Sequence, residues 1–510
     1  MKLIKVKSAG LYYPLSEPAA DVTSQNLFTV IIGKNGVGKS RLLAHIADTL
    51  INIKSYGQNH SKLVRDRRFE LRFQNEGKDV SVYSGKGKSK GRIFEKNDVT
   101  KSNFCTKLIA ASTSPFDKFP LEKNDNQIKS GSDSFYSYIG LKNATGTLSD
   151  KNLVKTFAIS LLEENQKRAV ERILSYLGFD KRISIKFRHN KDRYFSKKAL
   201  TNKDISLAQA IKSSEGIYQK VLLDNNMEMS RFIVEALHEE QINKSKKIEI
   251  KKNNIEIKKH NIIRLRDSKF NNIYFKSNVV NRTINDLIGT VNLPKSFTST
   301  DPISKKVRSS LIQSLQLNFS NVESITLTKK DGSNLRFEDS SSGEKALLLL
   351  ACSIANKIKN DSVVLIDEPE ISLHPEWQEN FIELLNTAFK HFKNCHFIIA
   401  THSPLVISQL STKNCYILNM DEDEMYSSSD YSNRSSDYQL ARLFSTPGNH
   451  NEYLNRLCVS LLSSISKHGE LNAEQLKDLE FLVSLKPTLN DDDTVKQLIG
   501  VLEKAKELLP

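Results

Sequence analysis

The chain has 510 residues, 38% of them hydrophobic and 26% charged, enough to bury sizeable cores in two or three structural units. Lys and Arg number 75 against 59 Asp and Glu, a formal charge of +16 that favours polyanionic partners, with plain solubility as the bland alternative. The longest apolar run, Ala346–Ala355, is broken by Ser353 and far too short for a bilayer, and five scattered cysteines offer neither a disulfide frame nor a zinc site, so a reducing cytoplasm is expected.

In chain order, Met1–Lys7 alternates like a strand and lacks the apolar segment of a signal peptide. The apolar run Leu27–Ile32 leads into Gly33, Lys34, Asn35, Gly36, Val37, Gly38, Lys39 and Ser40, with a helical pattern from Arg41. This G-x-x-x-x-G-K-S between strand and helix predicts a loop whose backbone amides hold the phosphates of ATP. Lys39 reaches the terminal phosphates, Ser40 supplies a hydroxyl to Mg²⁺, and the helix adds its positive end. With Gly at only 20 positions, a chance match is rare. Lys86–Arg92 is a short basic patch loosened by glycines, and Leu108–Ser112 reads as a strand ending in polar residues, among them Ser114 and Asp117.

Residues 126–320 read as an insertion of mixed α+β character without a sustained heptad pattern. A helix is expected over Lys151–Leu177, closed by Gly178, then a basic strand Ile183–Phe187, then a helix over 205–241. The Ile-Glu-Ile alternation on both sides of Lys251-Lys252-Asn253-Asn254 predicts a hairpin. Lys181–Lys198 holds eight basic residues and one acid, with Phe187, Tyr194 and Phe195 interleaved, and 241–269 holds ten basic residues against three acids. Either run alone reads as a solvated face. Together they make Lys181, Arg182, Lys186 and Arg188 candidates for nucleic-acid contact.

A hairpin turning at Lys330–Gly332 precedes Ser340, Ser341, Ser342, Gly343 and Glu344, which open an apolar helix. Val363–Ile366, a buried-strand pattern, ends in Asp367-Glu368-Pro369-Glu370, which puts carboxylates at a sheet's C-terminal edge. Asp367 is suited to hold Mg²⁺ through water and Glu368 to polarise an attacking water. Leu373-His374-Pro375 and Gln378 follow, with His374 and Gln378 candidates for a dimer interface. The strand His396–Ala400 then ends at Thr401-His402-Ser403. The acidic stretch Asp421–Glu424 reads as a turn between strands and Asn449-His450-Asn451 as a loop. Leucines at helical spacing from Glu452 onward predict a helical unit suited to partner docking.

The ordered set resembles the ABC-type ATPases. Ser340–Glu344 is similar to their signature motif, departing from it at three of five positions in the manner of the SMC- and RecF-like branch. His402 is similar to the switch histidine that senses the γ-phosphate. The strand at Leu108 resembles the Q-loop strand, without its Gln. Leu373–Gln378 resembles the run found in OLD-like and anti-phage ATPases. The resemblance implies an α/β fold: an ABC-type head with a mixed sheet flanked by helices, an inserted arm or lid, and a C-terminal helical unit. The expected boundaries are 1–125 and 321–428 for the head lobes, 126–320 for the insertion and 429–510 for the docking unit.

It further implies head-to-tail pairing, with ATP and Mg²⁺ between Gly33–Arg41 of one copy and Ser341, Ser342, Gly343 and Glu344 of another. The whole chain resembles the ATPases of Septu-type bacterial defence, including retron-associated ones. That implies a homodimer or larger homo-oligomer holding a small HNH nuclease of the PtuB kind, and in retron versions a reverse transcriptase with its RNA–DNA hybrid, with no nuclease site of its own. The alternatives are a RecF-type DNA-repair ATPase that binds DNA directly and a scaffold in which ATP is held without turnover.

Overall fold

The computed structural model describes residues 1–8, 10–18, 25–58, 70–75, 78–84, 93–96, 105–114, 116–121, 135–140 and 150–189, strand pieces within 250–276, and then 293–316, 320–408, 410, 414–431 and 434–507. The basic patch at 86–92, Tyr194 and Phe195 with the rest of the basic run past His189, and the helix expected over 205–241 lie outside the described residues.

Two compact units emerge, one of residues 1–122, 135–147 and 342–510, the other of 123–134 and 148–341. In the first, β1 (Lys2–Ser8), β2 (Leu11–Pro14), β4 (Glu70–Asn75), β5 (Lys78–Ser84) and β6 (Ile93–Lys96) form an antiparallel sheet ordered β2-β1-β4-β5-β6. A seven-stranded sheet carries β3 (Leu27–Ile32), β7 (Leu108–Ser112), β8 (Tyr136–Ile139), β17 (Val363–Asp367), β18 (His396–Ala400), β19 (Cys415–Asn419) and β20 (Glu424–Ser427). Its order is β20-β19-β3-β18-β17-β7-β8, parallel throughout except for the β19–β20 edge pair. The strands β3, β7, β17 and β18 are buried at every position, which is why their sequences run apolar without alternation. Phe28, Phe397 and Phe389 stack in this core, the first pair at 5.0 Å between centroids.

Helix α1 (Lys39–Gln58) leaves the phosphate loop and packs on β1, β7, β17 and β18. It carries Leu42, Leu43, Ile46, Ala47 and Leu50 into a core shared by both sheets. Because β8 pairs with β7, residues 136–139 belong to the head sheet and not to the insertion, where the boundary at 126 would put them.

The second unit holds α2 (Asp150–Leu162), α3 (Glu164–Tyr176), β9 (Phe179–His189), β14 (Ser296–Thr298), α4 (Lys305–Gln316), β15 (Ser320–Lys329) and β16 (Asn334–Arg336). The single helix expected over 151–177 is two, broken at Glu163, and Gly178 takes φ +84° where the chain reverses into β9. The sheet order is β14-β9-β15-β16, antiparallel throughout. β15 is the long partner of β9, so this unit runs to Ser341 rather than ending at 320. The hairpin expected around Lys252-Asn253 is present as β10 (Ile250–Lys251) paired with β11 (Asn254–Ile255), followed by a second pair, β12 (Ile262–Leu265) and β13 (Ile273–Lys276).

Back in the first unit, α5 (Ser342–Ala355) packs on β7, β8 and the 3₁₀ turn Pro369–Ser372. Further helices are α6 (Pro375–Glu379), α7 (Phe381–Phe389), α8 (Leu405–Ser408), α9 (Ser436–Arg442), α10 (Glu452–His468), α11 (Ala473–Leu485) and α12 (Thr494–Glu507). The last three bury Leu454, Leu461, Leu479, Leu482, Ile499 and Leu502 in a core of their own. Asn451 caps α10 through Leu454 N–H at 3.0 Å, and Asn472 with Gln475 forms a capping box on α11. This helical region, with its own core, is grouped with the head in one compact unit. Its seam is aromatic: Tyr426, Tyr431, Tyr438 and Tyr453 follow one another at 4.8–6.2 Å. Arg442 bonds Tyr453 Oη at 2.9 Å, ion-pairs with Asp478 and lies 3.8 Å over the Phe481 ring.

Candidate functional site

At the C-terminal edge of the parallel sheet, β3 turns into the phosphate loop, β17 ends at Asp367 and β18 ends just before His402. Gly33, at φ +147°, is held so closely that a Cβ there would meet Val37 Cγ1 at 3.0 Å. Lys39 is buried and its ammonium donates to Gly33 O at 2.6 Å and Lys34 O at 3.1 Å, which folds the loop over its own lysine. Its Nζ also lies 3.1 Å from His402 Nδ1. Burial pulls the Lys39 pKa down, opposed by Asp421, Glu368, Glu370 and Asp367.

Ser40 Oγ donates to Asp367 Oδ1 at 3.1 Å, which brings both proposed Mg²⁺ ligands into contact. Asp367 is 1% exposed, and burial, then the like charges of Glu368, Asp117 and Glu370, push its carboxyl up to about 7 against the Ser40 hydrogen bond. A buried carboxyl that is costly to ionise, beside a hydroxyl, is a ligand pair that a divalent cation would complete.

Glu368 has φ 50° and ψ 55°, a left-handed conformation that costs a non-glycine residue about 1–2 kcal/mol. Pro369 disfavours the right-handed helical region at the preceding residue, and two hydrogen bonds pin the backbone there. Glu368 N–H donates to Ala400 O at 2.9 Å, and Thr113 Oγ1 donates to Glu368 O at 2.7 Å. The carboxylate so presented lies 3.4 Å from His402 Nε2. Burial, then Lys39, holds the His402 pKa below the usual imidazole value despite Glu368, so the ring is neutral at pH 7. Lys39, Ser40, Asp367, Glu368 and His402 therefore form one connected set, although up to 363 positions separate them in the chain.

Sequence reasoning gave Asp421 no part in this site. Asp421 closes the phosphate loop from the other side, its Oδ2 accepting Lys34 N–H at 2.8 Å, and Asn419 links Asp421 N–H (3.0 Å) to Leu443 O (3.0 Å). The acidic stretch is indeed a turn, between β19 and β20, but its first acid reaches the loop. Nothing in its local pattern signals this, because the contact exists only when β19 lies beside β3. In the Q-loop position, Asp117 is buried and accepts Tyr138 Oη at 2.6 Å and Phe119 N–H at 3.0 Å, while Ser114 Oγ accepts Phe116 N–H at 3.3 Å. Gln378 turns inward to Ser403 and to the carbonyls of Glu370 and Leu373, not outward to an interface, whereas His374 is exposed and edge-on to Trp377.

Ser341 and Ser342 are exposed where α5 begins, Gly343 is buried and Glu344 half-buried. Ser340, the residue before them, is buried with Oγ lacking a hydrogen-bond partner.

In the second unit, Lys181, Arg182, Lys186 and Arg188 are all exposed on β9. Ile183, Ile185 and Phe187 are buried on the face opposite Arg182, Lys186 and Arg188, so Phe187 is no stacking platform, while Lys181 sits where the β9–β15 register shifts. Register places Ser296 and Ser324 on either side of Lys186, and Thr298, Thr326 and Arg336 in the row through Ser184. Arg188 is paired at 2.9 Å with Glu323. This open face offers cations and hydroxyls, the groups that meet a phosphodiester backbone rather than bases.

A family model described as "AAA domain, putative AbiEii toxin, Type IV TA system" matches residues 163–408. The chain is 35% identical over 101 residues to the Retron Vc95 probable ATPase of Vibrio cholerae serotype O1 biovar El Tor, 18% of this chain and 19% of that protein. It is 36% identical over 103 residues to the Retron Ec83 probable ATPase of Escherichia coli, 18% of each. It is 30% identical over 124 residues to the Septu protein PtuA of Bacillus thuringiensis, 21% of this chain and 30% of that one. The similarity spans about a fifth of the length of the retron relatives. A solved SMC head bound to the C-winged helix domain of ScpA aligns with 84% of this chain and 98% of its own at 13% identity, with a TM-score of 0.28, too loose to argue from. The chain thus resembles retron and Septu ATPases and carries an α/β head with a mixed sheet flanked by helices.

Proposed function

We propose that the chain is an ATP-binding and ATP-hydrolysing regulatory subunit of a bacterial anti-phage defence complex. The observation that carries the reading is the meeting of Lys39, Ser40, Asp367, Glu368 and His402 at one sheet edge. Gly33, Lys34, Asn35, Gly36, Val37, Gly38, Lys39, Ser40 and Arg41 would hold the triphosphate of ATP through loop amides and the helix end. Ser40 and Asp367 would hold Mg²⁺, which when bound neutralises phosphate charge. Glu368 accepts a proton from the attacking water, and neutral His402, between Lys39 and Glu368, is placed to sense the γ-phosphate.

In this reading Ser341, Ser342, Gly343 and Glu344 of a second copy complete the site, which makes a C₂ homodimer with two equivalent ATP sites. The partners proposed from the resemblance to Septu-type ATPases are an HNH nuclease and, in retron versions, a reverse transcriptase with its RNA–DNA hybrid. The C-terminal helices are the proposed dock. The test is Glu368→Gln with light scattering in Mg²⁺ and ATP. A stable ATP-bound dimer that wild type forms only transiently is expected. Turnover and dimerisation equal to wild type would reject the reading.

A second reading, a DNA-repair ATPase that binds nucleic acid directly, is favoured by the cations and hydroxyls on the open face of β9. An HNH gene beside this one supports the first reading, and its absence together with tight DNA binding supports the second.

A further inference from the structure

Between the water-activating carboxylate and the switch histidine lies a short turn, and two hydrogen-bonded bridges fasten the histidine's loop to it. In the first, His402 N–H donates to Glu370 Oε1 at 2.6 Å. In the second, Ser403 Oγ donates to Gln378 Oε1 at 2.7 Å, while Gln378 Nε2 donates back to Leu373 O at 3.0 Å and Glu370 O at 3.4 Å. Ser403 Oγ also accepts Leu405 N–H at 3.2 Å, so the second bridge continues into α8, which packs on α6.

We propose that Glu370 and Gln378 are positioning residues for hydrolysis, locking the backbone at His402 and Ser403 to the 369–378 turn so that His402 and Glu368 keep their mutual geometry only while that turn is in place. The proposal rests on the ATPase reading above. Neither residue needs to meet nucleotide. Glu370 Oε1 takes the His402 amide, and the Thr401 side chain bonds the same carboxyl, so both residues that lead into Ser403 are tied to it. Burying a carboxyl is costly, so the bridge is retained for what it positions rather than for packing. Gln378 satisfies both ends of its amide across the same gap, a fit that a shorter or charged side chain would not reproduce.

Three variants of the full-length protein test it. Glu370→Ala should lower kcat about 10- to 100-fold while KM for ATP stays within about twofold, the pattern of misplaced catalytic groups rather than lost binding. Glu370→Gln still accepts the His402 N–H and should recover kcat to within about threefold of wild type. Gln378→Ala should lower kcat in the same direction, and it serves if Glu370→Ala does not fold. Hydrogen exchange supplies a readout independent of turnover. The amides of residues 401–404 should exchange about tenfold faster in Glu370→Ala and at the wild-type rate in Glu370→Gln. If wild type hydrolyses no ATP, the ATPase reading fails and exchange still decides the coupling. Unchanged exchange and kcat in Glu370→Ala and Gln378→Ala, or a rise in KM with kcat intact, would overturn the proposal.

Discussion

Asp367 stores free energy that the protein releases only when something positive arrives. Its carboxyl is 1% exposed at the end of β17 and raised from 3.8 to about 7 by burial and then by Glu368, Asp117 and Glu370. A carboxyl with a raised folded-state pKa holds its proton in the folded state at a pH where the unfolded chain has lost it. Stability is therefore unpenalised below about pH 4, falls as pH rises toward 7, and carries the full cost above 7. That cost is at most about 4 kcal/mol. Asp367→Asn has nearly the same shape, cannot ionise, and still offers Ser40 an acceptor. In EDTA and without nucleotide, the variant should be more stable than wild type by up to about 4 kcal/mol at pH 8, and by under about 1 kcal/mol near pH 4. Urea denaturation followed by Trp377, the one tryptophan, reads this unit directly. At pH 8, Mg²⁺ with ATP should stabilise wild type more than the variant, which keeps the loop that holds the phosphates but loses one Mg²⁺ ligand. A gap of equal size at both pH values, or a variant less stable at pH 8, would refute the reasoning.

Lys39→Ala should abolish ATP binding by calorimetry, and undiminished affinity would show that the loop does not hold phosphate. Asp421→Ala removes the acceptor from Lys34 N–H and should weaken ATP binding about fivefold to tenfold with little effect on kcat, since it orders the loop and not the chemistry. Replacing Lys181, Arg182, Lys186 and Arg188 by Gln should lower nucleic-acid affinity and shrink the slope of log K against log salt by up to about 0.9 per lost phosphate contact. An unchanged slope would mean that the face is merely solvated. Arg442→Ala removes an ion pair, a tyrosine hydrogen bond and a stacking contact at once, at a cost of about 2–3 kcal/mol. Limited proteolysis should then release the last three helices first.

The buried strands that lead to Gly33, end at Asp367 and stop before His402 were legible from the sequence because each is a local pattern: a buried parallel strand is apolar throughout and ends where the polarity changes. The hairpin around Lys252-Asn253 and the turn at Asp421–Glu424 were legible for the same reason, since their alternation and polarity are properties of a few neighbouring residues. Boundaries were less so. The break at Glu163 interrupts a helical pattern that continues on either side, and β8 belongs with β7 only through long-range pairing.

Composition and motif order by themselves determined that this chain has a glycine-rich G-x-x-x-x-G-K-S loop, paired carboxylates and a histidine at three strand ends, together with a surplus of positive charge. Only the tertiary structure decided what stands around them. Lateral order in the sheet set Asp421 against Lys34, and the fold of the 369–378 turn set Glu370 and Gln378 against the histidine's loop. The alternation of β9 turned Phe187 inward and Arg182, Lys186 and Arg188 outward. Such contacts join residues tens to hundreds of positions apart, and no local periodicity encodes which strand lies beside which.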